Sequence, residues 1–202
     1  KYSNSTFSEL NKIMLKNFKI HLMFNEFIVG YDNTAQWWGP GVHNSLIISS
    51  NADPLPRYFI KTKNKKSLIN EVSYQFKIFS TKSIKNEYEN DYYISAIQTI
   101  FSYNNLELGI SRLIFSGGYD DDWNFKNAIN SLVSNKKSNN HDSVNDLYIL
   151  YSFPSSKTKF FAEFGQLNHK KTYKFYRNNT LASILGMRKY GVLGRDNLAF
   201  GV

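Results

Sequence analysis

The sequence predicts an all-β fold, an antiparallel up-and-down β-barrel with about ten strands visible in 202 residues, and three observations predict it. Apolar residues recur at every second position over most of the chain, the period of a strand with one oily face. Tight connections alternate strictly with long ones. Aromatics reach 16%, mostly Tyr and Phe, which favours strands over helices. A mean hydropathy of −0.44 and the lack of any apolar run near about 18 residues exclude a transmembrane helix but leave a membrane barrel open.

In chain order, residues 1–17 read equally as a short helix or a loop. Phe18, Ile20, Leu22 and Phe24 then alternate with Lys19, His21 and Met23. After a tight turn at Asn25-Glu26, Phe27, Val29 and Tyr31 alternate with Ile28, Gly30 and Asp32, which makes a hairpin. A long polar segment at 34–55 precedes a strand near 56–62 and a turn at Lys63-Asn64-Lys65-Lys66. Val72, Tyr74, Phe76 and Ile78 oppose Glu71, Ser73, Gln75 and Lys77 in the clearest strand. A charged loop at 81–90 leads to a strand at 92–103 whose faces are poorly distinguished. Asn104-Asn105 turns the chain into Leu106, Leu108 and Ile110. A loop at 116–145 follows, then strands at 146–153 and 158–166 around a turn at 154–157. A basic loop at 167–180, a strand near 181–190, a turn at 191–195 and a last strand carrying Leu198 and Phe200 complete the chain.

Short turns at 25–26, 63–66, 104–105, 154–157 and 191–195 thus alternate with long loops at 34–55, 81–90, 116–145 and 167–180. An outer-membrane barrel has this rhythm, because its periplasmic turns are tight and its extracellular loops are free to grow. Charge assigns the faces. Lys19, Glu71, Lys77, Glu107, Lys159 and Glu163 all oppose the apolar set. On a lipid-facing wall at mid-bilayer a Lys or Arg costs roughly 2–4 kcal/mol, so these six are expected to line a polar lumen. Arg112 breaks the rule, sharing parity with Leu108 and Ile110. It sits either at headgroup level or at a β-bulge that shifts the register.

Trp37-Trp38-Gly39-Pro40-Gly41 is the least ordinary stretch. Pro followed by Gly fits a type II turn, with Gly accepting the positive φ. The indoles read either as a core pair capping a turn or as a rigid aromatic corner at a membrane interface or pore mouth. This stretch, with Ser45-Leu46-Ile47-Ile48-Ser49-Ser50-Asn51-Ala52 and Pro54-Leu55-Pro56, resembles the signature of the Wzi-type capsule assembly proteins. Leu106–Arg112 with Gly117-Gly118, Asp146–Pro154 and Phe161–Gly165 are similar to that family in the same order, so the resemblance runs from about Leu22 to the end. Val42 and Asp53 depart from its pattern.

The resemblance implies a large outer-membrane β-barrel that holds capsular polysaccharide at the cell surface, with these residues an internal piece lacking strands on both sides. It casts Trp37, Trp38, Gly39, Pro40, Gly41, Asn51, Pro54 and Pro56 as structural, shaping a loop or narrowing the lumen. The expected partners are surface polysaccharide and outer-membrane lipid, including lipopolysaccharide, around a monomeric barrel. A porin-like solute channel is the alternative, and a soluble β-sandwich binding domain the third reading.

The net charge of +9 is either codon bias toward Lys and Asn or attraction to an anionic partner. Nothing resembles a nucleic-acid module. With no cysteine there is no disulfide framework, and His21, His43, His141 and His169 lack metal-ligand spacing. No phosphate loop or nucleophile elbow occurs, so neither catalysis nor a cofactor is expected. Asp120-Asp121-Asp122 reads as a solvated loop tip sooner than as a calcium site.

A polysaccharide offers apolar C–H faces and hydroxyls, so its contacts call for flat aromatics beside polar groups. Tyr119 and Trp123 supply these on one long loop. On another, Tyr173, Phe175 and Tyr176 stand with Lys170, Lys171, Lys174 and Arg177. That second group reads either as a surface for an acidic polymer or as an aromatic belt with incidental lysines.

Overall fold

The computed structural model describes residues 17–51, 54–81, 84–85, 91–117, 126, 129–130, 132, 141–168, 181–191 and 199–201. One antiparallel sheet contains every strand. In chain order these are β1 (Lys19–Phe24), β2 (Phe27–Asp32), β3 (Arg57–Thr62), β4 (Lys66–Ile69), β5 (Val72–Thr81) and β6 (Ile84–Lys85). Then come β7 (Asp91–Tyr103), β8 (Leu106–Gly117), β9 (His141–Phe153), β10 (Thr158–Asn168), β11 (Leu181–Tyr190) and β12 (Ala199–Gly201). Ten form the path β1-β2-β3-β5-β7-β8-β9-β10-β11-β12, while β4 pairs with β5 and β6 with β7. Sequential neighbours pair throughout, the up-and-down topology expected, and among the described residues no ladder joins β1 to β12.

Register assigns every side chain to a face, because directly paired residues point the same way. One face carries Leu22, Val29, Ile60, Ile78 and Ile97 in a single row, with Phe27, Phe76, Ile110 and Phe164 nearby. The other carries Phe59, Phe79, Ala96 and Leu113, then Lys61, Lys77, Gln98, Ser111 and Asp146. Large apolar side chains stay exposed on the first face: Ile20 by 70%, Leu22 by 67% and Leu185 by 72%. Among the described residues, only Met23, Phe115 and the β4 residue Leu68, at the register shift, are exposed large hydrophobics not assigned to that face.

The packed apolar cluster is on the second face. Ile28, Trp38, Phe59, Phe79, Ala96 and Leu113 form it, with Ile47, Ile48 and Ile94 against it. That face is concave. Trp38 stacks on Phe79 of β5 with centroids 5.3 Å apart, while a Cβ at the adjacent Gly39 would lie 2.8 Å from Glu163 Oε1 on β10. Four inter-strand steps of about 4.8 Å separate β5 from β10 along the sheet, about 19 Å. One Trp side chain and one peptide step bridge that arc, so the sheet curls around the loop. The oily face is outside and the charged face inside.

Several local expectations change. The hairpin turn after β3 is not at 63–66 but at Asn70-Glu71, with Asn70 at φ 50°. Asn accepts that left-handed backbone more readily than the lysines upstream. The chain between Thr62 and Lys66 is an irregularity in one longer strand, so Glu71 belongs to a turn and not to the wall. β9 begins at His141, which shortens the 116–145 loop, and within it Lys126, Ile129, Asn130 and Leu132 have helical backbone. β6 similarly extends the hairpin into the 81–90 loop.

The register runs unbroken through Arg112, which removes the bulge, and Arg112 is buried, which removes open headgroup exposure. It belongs to a polar zone of the outer face at the long-loop end, with Ser80, Ser95, Ser143 and Asn145, all buried. Leu132 is buried too and, with Ile129, walls a pocket beside Val29, Tyr58 and Ile78. Ile129 and Leu132, from between β8 and β9, therefore lie against the outer wall.

Gly109 on β8 makes a sharp test of register. The Tyr148 ring crosses it so closely that an added Cβ would lie 1.9 Å from the ring, and this places Tyr148 Oη to donate to Glu107 Oε1 at 2.8 Å. Gly109→Val is expected to displace the ring and cost about 1–3 kcal/mol through overpacking. Equilibrium unfolding should show the loss, and an unchanged midpoint would contradict the assigned pairing.

Candidate functional site

The segment between β2 and β3 folds inward and fills the interior at the long-loop end. Its frame is local. Trp38 N–H donates to the Ile48 carbonyl at 3.0 Å, pairing the two arms as an isolated antiparallel bridge. Trp37 Nε1 donates to the Gly41 carbonyl at 3.0 Å, closing the turn between them. The Ser45 hydroxyl donates to the Trp38 carbonyl. Positive φ falls on Gly39 (117°) and not on Gly41, so the turn is not the type II turn expected from Pro40-Gly41. Gly41 is required for another reason: its added Cβ would lie 2.0 Å from the Asn44 carbonyl oxygen.

Two of the loop's attachments are to opposite sides of the wall. Trp38, 2% exposed, sits among Phe59, Phe79, Ala96 and Leu113. On the far side Leu46 N–H donates to Glu163 Oε1 at 2.9 Å. Glu163 is fully buried, and both of its carboxylate oxygens face Gly39. Asp146, diagonal to Glu163 on β9, is also buried, between Glu163 and Ser111.

Charge inside the sheet is unevenly distributed. Lys19, Arg57, Lys61 and Lys77 line the wall formed by β1, β3 and β5, with Asp32 of β2 between them. Glu107, Asp146 and Glu163 line the wall formed by β8, β9 and β10, where Lys159 stands at the short-turn end. Arg57 Nη2 lies 2.7 Å from Asp32 Oδ1 and also donates to the Thr34 carbonyl, tying the loop to the rim. The Arg57 guanidinium stands 5.3 Å from the Phe79 ring centroid. Lys77 Nζ donates to Gln36 Oε1 and lies 5.9 Å from the Trp38 ring centroid, a cation–π contact. The loop thus carries acceptors toward the basic wall and an N–H toward the acidic one.

Of the residues singled out from sequence, Trp37, Trp38, Gly39, Pro40 and Gly41 come together with Glu163 in the interior. Asn51 is exposed where the loop returns, while Pro54 helps line a cavity between the loop and the wall, and Pro56 leads into β3. Lys19, Lys77, Glu107, Lys159 and Glu163 are all on the inner face, as expected. Tyr119, Trp123, Lys170, Lys171, Tyr173, Lys174, Tyr176 and Arg177 lie outside the described residues, as do Asp120-Asp121-Asp122. Sequence reading missed the attachment of Leu46 to Glu163 and the buried Asp146. Strand parity puts both acids inside, but nothing along the chain pairs a loop amide with a strand 117 residues away. Among the described residues no group of three His, Cys, Asp or Glu side chains could hold a metal ion.

A family model described as Capsule assembly protein Wzi matches residues 11–187. No curated protein and no solved structure matches the chain.

Gly39→Ala tests the inward loop. The new methyl would meet the Glu163 carboxylate at 2.8 Å on a backbone at φ 117°, and such strain costs about 1–3 kcal/mol. Glu163→Ala in the same protein removes the clash, so the two substitutions should couple in a double-mutant cycle followed by equilibrium unfolding. Strict additivity would show that the loop does not touch β10.

Proposed function

The chain belongs to the Wzi capsule assembly family and has a role in capsule assembly; from that premise we propose that it is part of an outer-membrane β-barrel retaining capsular or related surface polysaccharide by non-covalent, lectin-like contacts of its long loops. The observation that carries this reading is the inverted wall. Its exposed face is apolar over β1, β2, β9, β10 and β11, and its enclosed face is charged. A soluble domain hides its largest apolar side chains, and a contiguous exposed apolar surface marks an interaction site. Acyl chains are the solvent that suits Ile20, Leu22, Phe164 and Leu185 together. Strands β7, β8, β9 and β10, at 13, 12, 13 and 11 residues, have the length a tilted span requires, about 9–11 residues.

The chemistry for the polymer stands on the long loops: the aromatic pair Tyr119 and Trp123, and the basic aromatic group Lys170, Lys171, Tyr173, Lys174, Tyr176 and Arg177. Flat rings suit sugar faces, and the cations suit an acidic chain. The partners on this reading are that polymer and the surrounding lipid, including lipopolysaccharide, with no catalytic step. The inward loop favours an anchor over a porin-like channel, because Trp38 and its neighbours occupy space that a solute pathway would need.

Three experiments test the reading. Leu185→Lys puts a cation on a side chain that is already 72% exposed, so in a water-soluble domain it should be neutral. In a bilayer it should cost about 2–4 kcal/mol near the midplane, read as reduced insertion and lower folding stability in lipid. Replacing Lys170, Lys171, Lys174 and Arg177 together by alanine should release polymer from cells into the medium several-fold while the protein stays in the outer membrane. Unchanged retention would remove the polymer-binding role of that loop. Planar-bilayer recordings should show little or no conductance, and a steady open-channel current would favour the porin reading.

A further inference from the structure

We propose that the interior also holds a binding site for a small oxyanion, the carboxylate of an acidic sugar or a phosphate, in the cavity beneath Trp38. The cavity is about 220 Å³ and is lined by Lys61, Lys63, Lys77, Gln75, Gln98 and Ile100 among others. A volume of that size has room for one sugar ring or a hydrated phosphate.

The pairing of its lysines is what points to a ligand. Lys61 and Lys77 are directly opposed across β3 and β5, on the inner face. Like charges in direct opposition destabilise a sheet, and among the described residues no carboxylate lines the cavity to offset them. The acidic group whose field reaches both lysines is Asp32, and Arg57 already engages it at 2.7 Å. Lys77 is fixed by Gln36 and the face of Trp38, so its ammonium is oriented before any ligand arrives. Lys61 makes no side-chain hydrogen bond or ion pair among the described residues, and neither does Gln75. Gln98 donates to Ser111 Oγ at 3.2 Å, which holds its carboxamide at the cavity wall.

An oxyanion entering here would lie between two opposed ammonium groups, take further donors from the Gln75 amide and the Lys63 ammonium at the exposed rim, and rest any apolar ring face on Ile100. Charge-assisted hydrogen bonds of this kind are about twice as strong as neutral ones. A neutral sugar would leave the lysine repulsion in place, so the site selects for charge. The described residues that line this cavity come from β3, β5, β7 and the connection after β3.

Calorimetric titration of the protein, extracted from membranes in detergent at physiological ionic strength, tests the site with glucuronate, inorganic phosphate and glucose. Saturable binding of glucuronate or phosphate is expected, with none for glucose. Glucuronate at least tenfold tighter than phosphate assigns an acidic sugar; the reverse order or equal affinities assigns a general oxyanion site. Lys61→Gln should weaken binding at least tenfold. Lys63→Gln, on the exposed rim and neutral for folding, should weaken it about threefold and serves where Lys61→Gln does not fold. Binding of neither anion, or unaltered binding in the variants that fold, overturns the proposal. Loss of polymer retention in the loop variant with intact anion binding would separate this site from the polymer-binding surface.

Discussion

A carboxylate with no access to water is the constraint on which the rest of this structure turns. Glu163 is fully enclosed, and burying a charged or polar group is costly unless donors meet it. The donor is the Leu46 N–H, which belongs to a loop anchored five positions away along the strand order. For that amide to arrive, the chain must pass Glu163 without side chains, which is where Gly39 and Gly41 stand. For the loop to stay, its other end must bury something large, which is the part of Trp38. Polar satisfaction on one wall and apolar packing on the other thus hold one loop across the concavity and fix how tightly the sheet curls.

The same loop reconciles the two walls electrically. Lys19, Arg57, Lys61 and Lys77 stand on β1, β3 and β5, and Glu107, Asp146 and Glu163 on β8, β9 and β10, with Lys159 among them. The loop spans them, with Gln36 and the Thr34 carbonyl accepting from Lys77 and Arg57, and Leu46 donating to Glu163. A polar interior is the counterpart of the exposed apolar exterior. Once the apolar face is turned outward, every charge on the strands has only the inside left. The exception defines a boundary. At the long-loop end Ser80, Ser95, Ser143, Asn145 and Arg112 appear on the outer face and are buried, with Leu132 close by. There the wall is covered by the protein's own chain and the demand for an apolar surface ends.

Most of the strands, the alternation of short and long connections and the faces of the clearest strands could be read along the sequence, but the turn at Asn70-Glu71 and the two faces of β7 could not. Period two is a local property: Val72, Tyr74, Phe76 and Ile78 declare one face whatever surrounds them, and Lys77 or Glu163 declares the other. The Trp37–Gly41 stretch was also conspicuous, because two indoles before Gly-Pro-Gly are costly to keep without a structural use. Tertiary structure alone decided what that stretch meets. Which turn Asn70 makes, that Gly39 and not Gly41 takes the left-handed backbone, and that Leu46 reaches Glu163 depend on distances between residues far apart in the chain. Alternation tells each side chain which way to point but carries no information about curvature, and it is curvature that brings β5 and β10 to opposite sides of one tryptophan.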